Sequence, residues 1–241
     1  MSAALAFTRA PGATLVQRAM DAVTAYIREH ELRVGDTLPG EAYFAGALGV
    51  SRAVMREAFG ALAALRMIEV ANGRRPRVGA MDGAVMAASL DHAVSTAQIS
   101  VPEIWDVRRT IELRTAELAA AERTDAEAER IVALAEALAA EADDLATRTR
   151  HDIAFHEAIA AASHNALFVQ IVASFGPLMQ VAVPTAWQTR TATDQRQVMI
   201  DRHRAVAYAI ASRDPAAAVA AMTAHFDSSI GDLLKAGVNV R

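Results

Sequence analysis

The 241-residue chain is 53% hydrophobic but only 5% aromatic, and its net charge is −4. It has no cysteine, which excludes disulfides and thiolate metal sites and accords with a reducing cytoplasm, while its many alanines favour helix. Residues 1–79 hold ten arginines against seven acids (+3) and residues 80–241 hold fourteen lysines and arginines against twenty-one acids (−7), so the front half is the part suited to nucleic acid.

The N-terminus, MSAALAFTRA, has no basic region before its short apolar run and makes a poor signal peptide. A first helix is predicted from about Thr14 to His30, with Leu15, Ala19, Val23 and Tyr26 on its apolar stripe. Arg33 to Asp36 form a turn. Pro39 suits the first turn of a second helix, which ends at Gly49, a residue able to take the left-handed conformation. Ser51 caps a third helix and puts Arg52 and Arg56 one turn apart on one face. The period then changes: Ile68 to Val70 read as a strand, Asn72-Gly73 as a hairpin signal, and Arg74, Arg75 and Arg77 as a basic tip. Helix, tight turn, helix and basic hairpin together describe a winged helix-turn-helix. In it Ser51, Arg52 and Arg56 face a DNA groove, and Gly73, Arg74, Arg75 and Arg77 form the wing. Any one of these arginines alone reads more readily as a solvated charge; together with the turn and hairpin they point to DNA contact.

The fold class is therefore mainly α. Residues 1–79 form the winged helix-turn-helix with its small β-hairpin, residues 80–99 a linker and connecting helix, and residues 100–241 an all-α bundle of six or seven helices. In that bundle Ser100 and Pro102 open a long helix through Arg123. Thr124 and Glu127 form a capping box, Thr193 starts another helix, and Asp214-Pro215 starts the last. Residues 158–189 contain no Asp, Glu, Lys or Arg. Gln170, Gln180 and Gly176-Pro177 interrupt this run, so it reads as one or two helices buried in the bundle and not as a membrane span.

Asp152 and His156 are four residues apart and share a helix face. His203 and His225 each lie eleven residues from Asp214. In an antiparallel pair they stand level, each roughly 16 Å from the turn. Three imidazoles and a carboxylate suit a divalent zinc, nickel, iron or manganese ion better than calcium, with zinc foremost. Lone histidines are more often hydrogen-bonded core or surface residues, and the spacing by itself leaves both readings open. A metallohydrolase using these four residues is an alternative. Glu157, its nearest potential base in sequence, points about 100° away around the helix. A DNA-binding protein without an effector is another.

The front half resembles the winged helix-turn-helix of GntR-family bacterial regulators. Leu38-Pro39-Gly40-Glu41, Leu48-Gly49-Val50-Ser51-Arg52 and Met55-Arg56-Glu57-Ala58-Phe59 follow the family pattern. The chain departs from it at Ala42, where the family usually has a DNA-contacting arginine, and at Gly40, where it has serine. Residues 100–235 resemble the FCD ligand-binding domain of the FadR subfamily. The matching residues are Val107-Arg108 with Glu112, Asp152 with Phe155-His156, Asn165, His203-Arg204, and Met222 with His225. The resemblance implies a divalent metal at Asp152, His156, His203 and His225, and a small organic-acid effector on its open positions. Arg108 and Asn165 are the effector-binding candidates, against plainer readings as a salt bridge to Glu112 and a helix cap. It further implies no enzymatic activity and a cytoplasmic homodimer off the membrane. Such a dimer binds a double-stranded, palindromic operator, and repression relieved by effector is the commoner behaviour.

Overall fold

The structure is a computed structural model and describes residues 13–140 and 144–235. The N-terminal segment weighed above as a signal peptide lies outside them. The chain divides into two compact units, residues 1–85 and 86–241.

The first unit is a three-helix head with a wing. Helix α1 (Leu15–Glu29) is capped by Thr14, whose side chain accepts from the Gln17 N–H. Helix α2 (Glu41–Leu48) starts after Gly40 and ends at Gly49, which has a φ of 64°. Pro39 therefore precedes the helix instead of sitting in its first turn. The Leu38 N–H donates to the Pro76 carbonyl and keeps this stretch extended. Helix α3 (Arg52–Ala64) is capped by Ser51, whose hydroxyl accepts from the Val54 N–H. Met55, Ala58, Phe59 and Leu62 turn inward from α3 at helical spacing, against Phe44 and Val23. That packing uses none of the α3 arginines and leaves them to solvent.

The wing is shorter than the sequence pattern implies. Strands β1 (Ile68–Glu69) and β2 (Arg77–Val78) pair antiparallel, Ile68 opposite Val78 and Glu69 opposite Arg77. Residues 70–76 form the loop between them, with Gly73 at a φ of 71°. Gly79 closes the wing by donating its N–H to the Met67 carbonyl. Its backbone lies so close to the Arg66 carbonyl that an added Cβ would overlap it.

The second unit is all helix among the described residues. It comprises α4 (Ala84–Ser95), α5 (Val101–Glu122), α6 (Asp125–Ala140), α7 (Leu145–Ala162), α8 (Ala166–Ser174), α9 (Gly176–Thr189), α10 (Thr193–Ala211) and α11 (Pro215–Lys235). The seven helices from α5 onward match the expected bundle. Ser100 with Glu103, and Thr124 with Glu127, make reciprocal capping contacts. Asp214 caps α11 through the Ala217 N–H. Helices α5, α10 and α11 pack on one another, and α7 packs against α5 and α6. The charge-free run supplies α8 and α9. One face of it is buried through Val172, Met179, Val183 and Trp187, while Leu167 and Val181 are 55% and 70% exposed. Burial is thus one-sided. No single described helix is long and apolar enough to cross a membrane, and α8 with α9 reaches that length only as a pair bent by 55°.

Two glycines give opposite expectations. Gly79→Ala should destabilise the head by about 1–3 kcal/mol, because the methyl forces the backbone at Arg66 to move. Gly46→Ala, inside α2 with open space around it, should stabilise by about 0.5–1 kcal/mol. Hydrogen exchange of the α3 amides measures both.

Candidate functional site

In the first unit most of the DNA-facing candidates lie at the surface. Arg52 is the first residue of α3 and exposed, and the Arg56 side chain is 78% exposed with Glu41 3.9 Å away. Arg74 and Arg75 are exposed on the wing loop. Arg77 is partly committed, since its guanidinium donates to the Gly35 carbonyl at 3.1 Å. Ser51 acts through its cap, and Gly73 through its left-handed backbone. Ala42 is exposed, so the place of the missing arginine faces solvent. Gly40 sits at the N-cap of α2 without the side-chain acceptor that serine supplies.

In the second unit, side chains from α5, α7, α9, α10 and α11 line a partly open cavity. The equal spacing about Asp214 brings His203 and His225 level, with ring centroids 4.5 Å apart. His156 joins them from α7, 5.1 Å from the His225 ring. Donor nitrogens of the three imidazoles all lie within 4.8 Å of one another, and all three residues are buried. The Asp152 carboxylate, one turn before His156, accepts from His203 Nε2 at 3.0 Å and lies 4.0 Å from His156 Nε2.

The outer nitrogens orient two of the rings. His203 Nδ1 is 2.9 Å from the Met199 carbonyl, and His156 Nδ1 contacts Glu112. Both Nε2 atoms are thereby aimed at Asp152. This is the outer-shell arrangement that fixes the tautomer of a metal-binding imidazole. His225 Nδ1 is buried with no hydrogen-bond partner. Tetrahedral ligands about 2.0–2.1 Å from an ion stand roughly 3.3 Å apart, so small side-chain rotations bring the three donors and Asp152 to one centre. The donor set and the orphaned nitrogen both fit a divalent metal.

Charges follow the same plan. Burial opposes ionisation of Asp152, but the His203 hydrogen bond and the neighbouring imidazoles outweigh it and hold the carboxyl well below its ordinary range. Glu112 is also lowered: burial opposes it, and the charges of Arg108 and His156 prevail. Burial, with repulsion from His203 and His156, pushes His225 well below the usual imidazole value.

Arg108 lines the cavity but is already paired, its Nε 2.7 Å from Glu112 Oε1 and its guanidinium 5.0 Å from the Trp105 ring. Asn165 does not line it. Its carboxamide oxygen caps α8, accepting from the Leu167 and Phe168 N–H groups, because a residue on the α7–α8 turn is spent satisfying free helix donors. The cavity wall includes residues that sequence reasoning passed over: Trp105, Trp187, Arg190, Met199 and Ser229. Arg190 had one signal, as the first charge after the run 158–189.

Comparison with known proteins agrees with this geometry. The family model "Bacterial regulatory proteins, gntR family" matches residues 15–78, and the "FCD domain" model matches residues 103–228. The chain is 32% identical to the HTH-type transcriptional regulator LutR of Bacillus subtilis, over 86% of this chain and 95% of that protein. It is 31% identical to the Glc operon transcriptional activator of Escherichia coli, over 85% and 83%. Among solved structures, Streptococcus agalactiae GntR superposes with a TM-score of 0.66 at 25% identity, covering 88% of this chain and 97% of that one. The chain therefore belongs to the GntR family of bacterial regulatory proteins, in its FCD-bearing, FadR-like branch, and is a DNA-binding transcriptional regulator, not an enzyme.

Proposed function

We propose that this regulator senses a small organic acid through a divalent metal held by Asp152, His156, His203 and His225. The observation that carries the reading is the buried cluster of three imidazole donors around one carboxylate, with His225 Nδ1 left without a hydrogen-bond partner. Zinc is the first choice by ligand type, with nickel, manganese and iron also suited. The bound ion supplies a Lewis-acidic centre with open positions for a carboxylate. Glu112 holds His156 in place, the Met199 carbonyl holds His203, and Arg108 lends positive charge to the same cavity.

The protein works as a cytoplasmic homodimer on a palindromic operator, in keeping with its family. The natural sense of the response is repression relieved by effector, although the relatives include both an activator and a repressor. Arg52 and Arg56 read base edges, Arg74 and Arg75 grip phosphates, and Arg77 supports the wing through its bond to Gly35. An effector changes operator affinity only by the difference in its own affinity for the two states of the dimer.

A metal-free reading has one observation in its favour. His203 is already satisfied on both nitrogens by Asp152 and Met199, as a core histidine would be. Linkage separates the two. His225 has a folded-state pKa below its ordinary value of 6.5, so the unfolded chain takes up its proton first. Its contribution to stability is present above about pH 6.5 and is lost as the pH falls below it.

Purified protein should contain about one divalent ion per chain by elemental analysis, lost in His203→Ala; native protein without metal contradicts the site. After chelation, the melting temperature should fall from about pH 7 to about pH 5, and His225→Asn should flatten that fall. A flat profile in the unaltered protein would contradict a buried neutral His225. On duplexes selected by the protein from random DNA, Arg52→Ala and Arg56→Ala should each cost about 1–3 kcal/mol and relax base preference. Arg74→Ala with Arg75→Ala should weaken all sequences alike and reduce the salt slope by about 2. Base preference unchanged in the α3 variants would remove the reading role.

A further inference from the structure

Trp105 stands in the second turn of α5 and is only 6% exposed. It lines the cavity that the three histidines share. Its indole Nε1 is buried and has no hydrogen-bond partner among the described residues. An indole N–H donates and cannot accept, and burying it unbonded is costly, so a buried tryptophan usually has an acceptor.

Neighbours fix the ring where it is. The Arg108 guanidinium lies 5.0 Å from its centroid, and Phe226 meets it at a steep angle with centroids 6.3 Å apart. Arg108 is itself tied to Glu112, and Glu112 to His156. Trp105, Arg108 and Glu112 follow one another at three and four residues on α5, hence on one face. Turning the indole toward an acceptor elsewhere would break that row of contacts.

Other donors of the wall are engaged. Arg108 and Arg190 donate through Nε to Glu112 and Asp232, and Ser229 donates to the His225 carbonyl. His203 is held by Asp152 and the Met199 carbonyl. Among the described residues of the wall, Trp105 and His225 have a buried nitrogen with neither a hydrogen bond nor an ion pair. The metal reading assigns His225 to the ion and leaves Trp105 over. What the indole lacks is an oxygen acceptor, and the partly open cavity lets a solute reach its wall. Arg108 beside the ring favours a negatively charged oxygen.

We propose that Trp105 is a specificity-determining residue of this regulator: its indole N–H donates to a carboxylate oxygen of the organic acid held in the cavity. This rests on the reading that the cavity takes a small organic acid at a metal. The ion holds one part of the acid, and the indole demands an acceptor oxygen at a second position. A ligand that places an ammonium there is rejected, because two donors then face each other.

The test is a nitrogen–proton correlation spectrum of full-length, zinc-loaded protein. The chain has two tryptophans, Trp105 and Trp187, so either Trp105→Phe or Trp187→Phe assigns both indole signals. Acetate, L-lactate, succinate, L-malate and citrate are titrated in turn, with calorimetry on the same samples. With the acid that binds most tightly, the Trp105 indole proton should move downfield and exchange more slowly with water. Trp105→Phe keeps an apolar ring and removes the N–H. It should bind that acid about tenfold or more weakly, at unchanged zinc content. The spectral result stands on the unaltered side chain, so it decides the matter even where Trp105→Phe fails to fold. A Trp105 signal that stays in place at saturation, or unchanged affinity in folded Trp105→Phe, would overturn the role. Protein that holds no zinc, or binds none of these acids, removes the underlying reading and this proposal with it, whereas binding that leaves the Trp105 signal unmoved removes the Trp105 role alone.

Discussion

Everything in the second unit is arranged around one buried carboxylate, Asp152, facing three imidazoles. A charge out of water is costly unless it is paired and hydrogen-bonded. Here it is met by His203 at 3.0 Å, with His156 behind it and His225 closing the group. Those residues come from three helices, and α5 supplies Glu112 to steady the His156 ring. The cluster fixes how far each helix can slide. A one-residue slip of α10 or α11 would turn its histidine about 100° away from Asp152. Apolar packing of Phe155, Met222 and Phe226 gives the bundle its core and demands the same register as the polar cluster.

The head obeys a different constraint. Its core is built from the inward residues of α1, α2 and α3 together with Leu38 and Ile68. That core is complete without any arginine, so the arginines of α3 and the wing loop stay at the surface. Ala42 and Gly40 subtract one basic contact and one cap from the family pattern without touching the core. On the proposed reading, binding energy for DNA falls more heavily on the α3 arginines and the wing loop. Arg77 is the exception, since its bond to Gly35 braces the wing.

Much of this was legible in the sequence because local rules coincide with global ones. Gly49 and Ser51 mark a turn whose conformation only a few residue types support, and both behave as their chemistry requires. Equal distances from Asp214 placed His203 and His225 side by side, because helix rise is constant. The four-residue spacing put Asp152 and His156 on one helix face, and the bundle brings them to the same point. What was not legible depends on neighbours distant in the chain. Pro39 lies outside its helix because a bond to Pro76 holds the chain extended. The wing loop is longer than Asn72-Gly73 implies, since the strands pair for only two residues each. Asn165 caps α8 and is not among the residues lining the cavity, a placement that depends on where the α7–α8 turn falls in the fold. The Glu112 contact to His156 and the Arg190 pair with Asp232 each span more than forty residues, beyond the reach of any periodicity.

The measurement that bears most directly on the central claim is X-ray absorption at the edge of whatever metal accompanies the native protein. The four-residue site predicts a first shell dominated by imidazole nitrogen, with zinc–nitrogen distances of about 2.0–2.1 Å and a carboxylate oxygen at a similar distance. Multiple scattering should count about three histidines. A shell of oxygen alone, or one with fewer than two imidazoles, would contradict a metal centre built on Asp152, His156, His203 and His225.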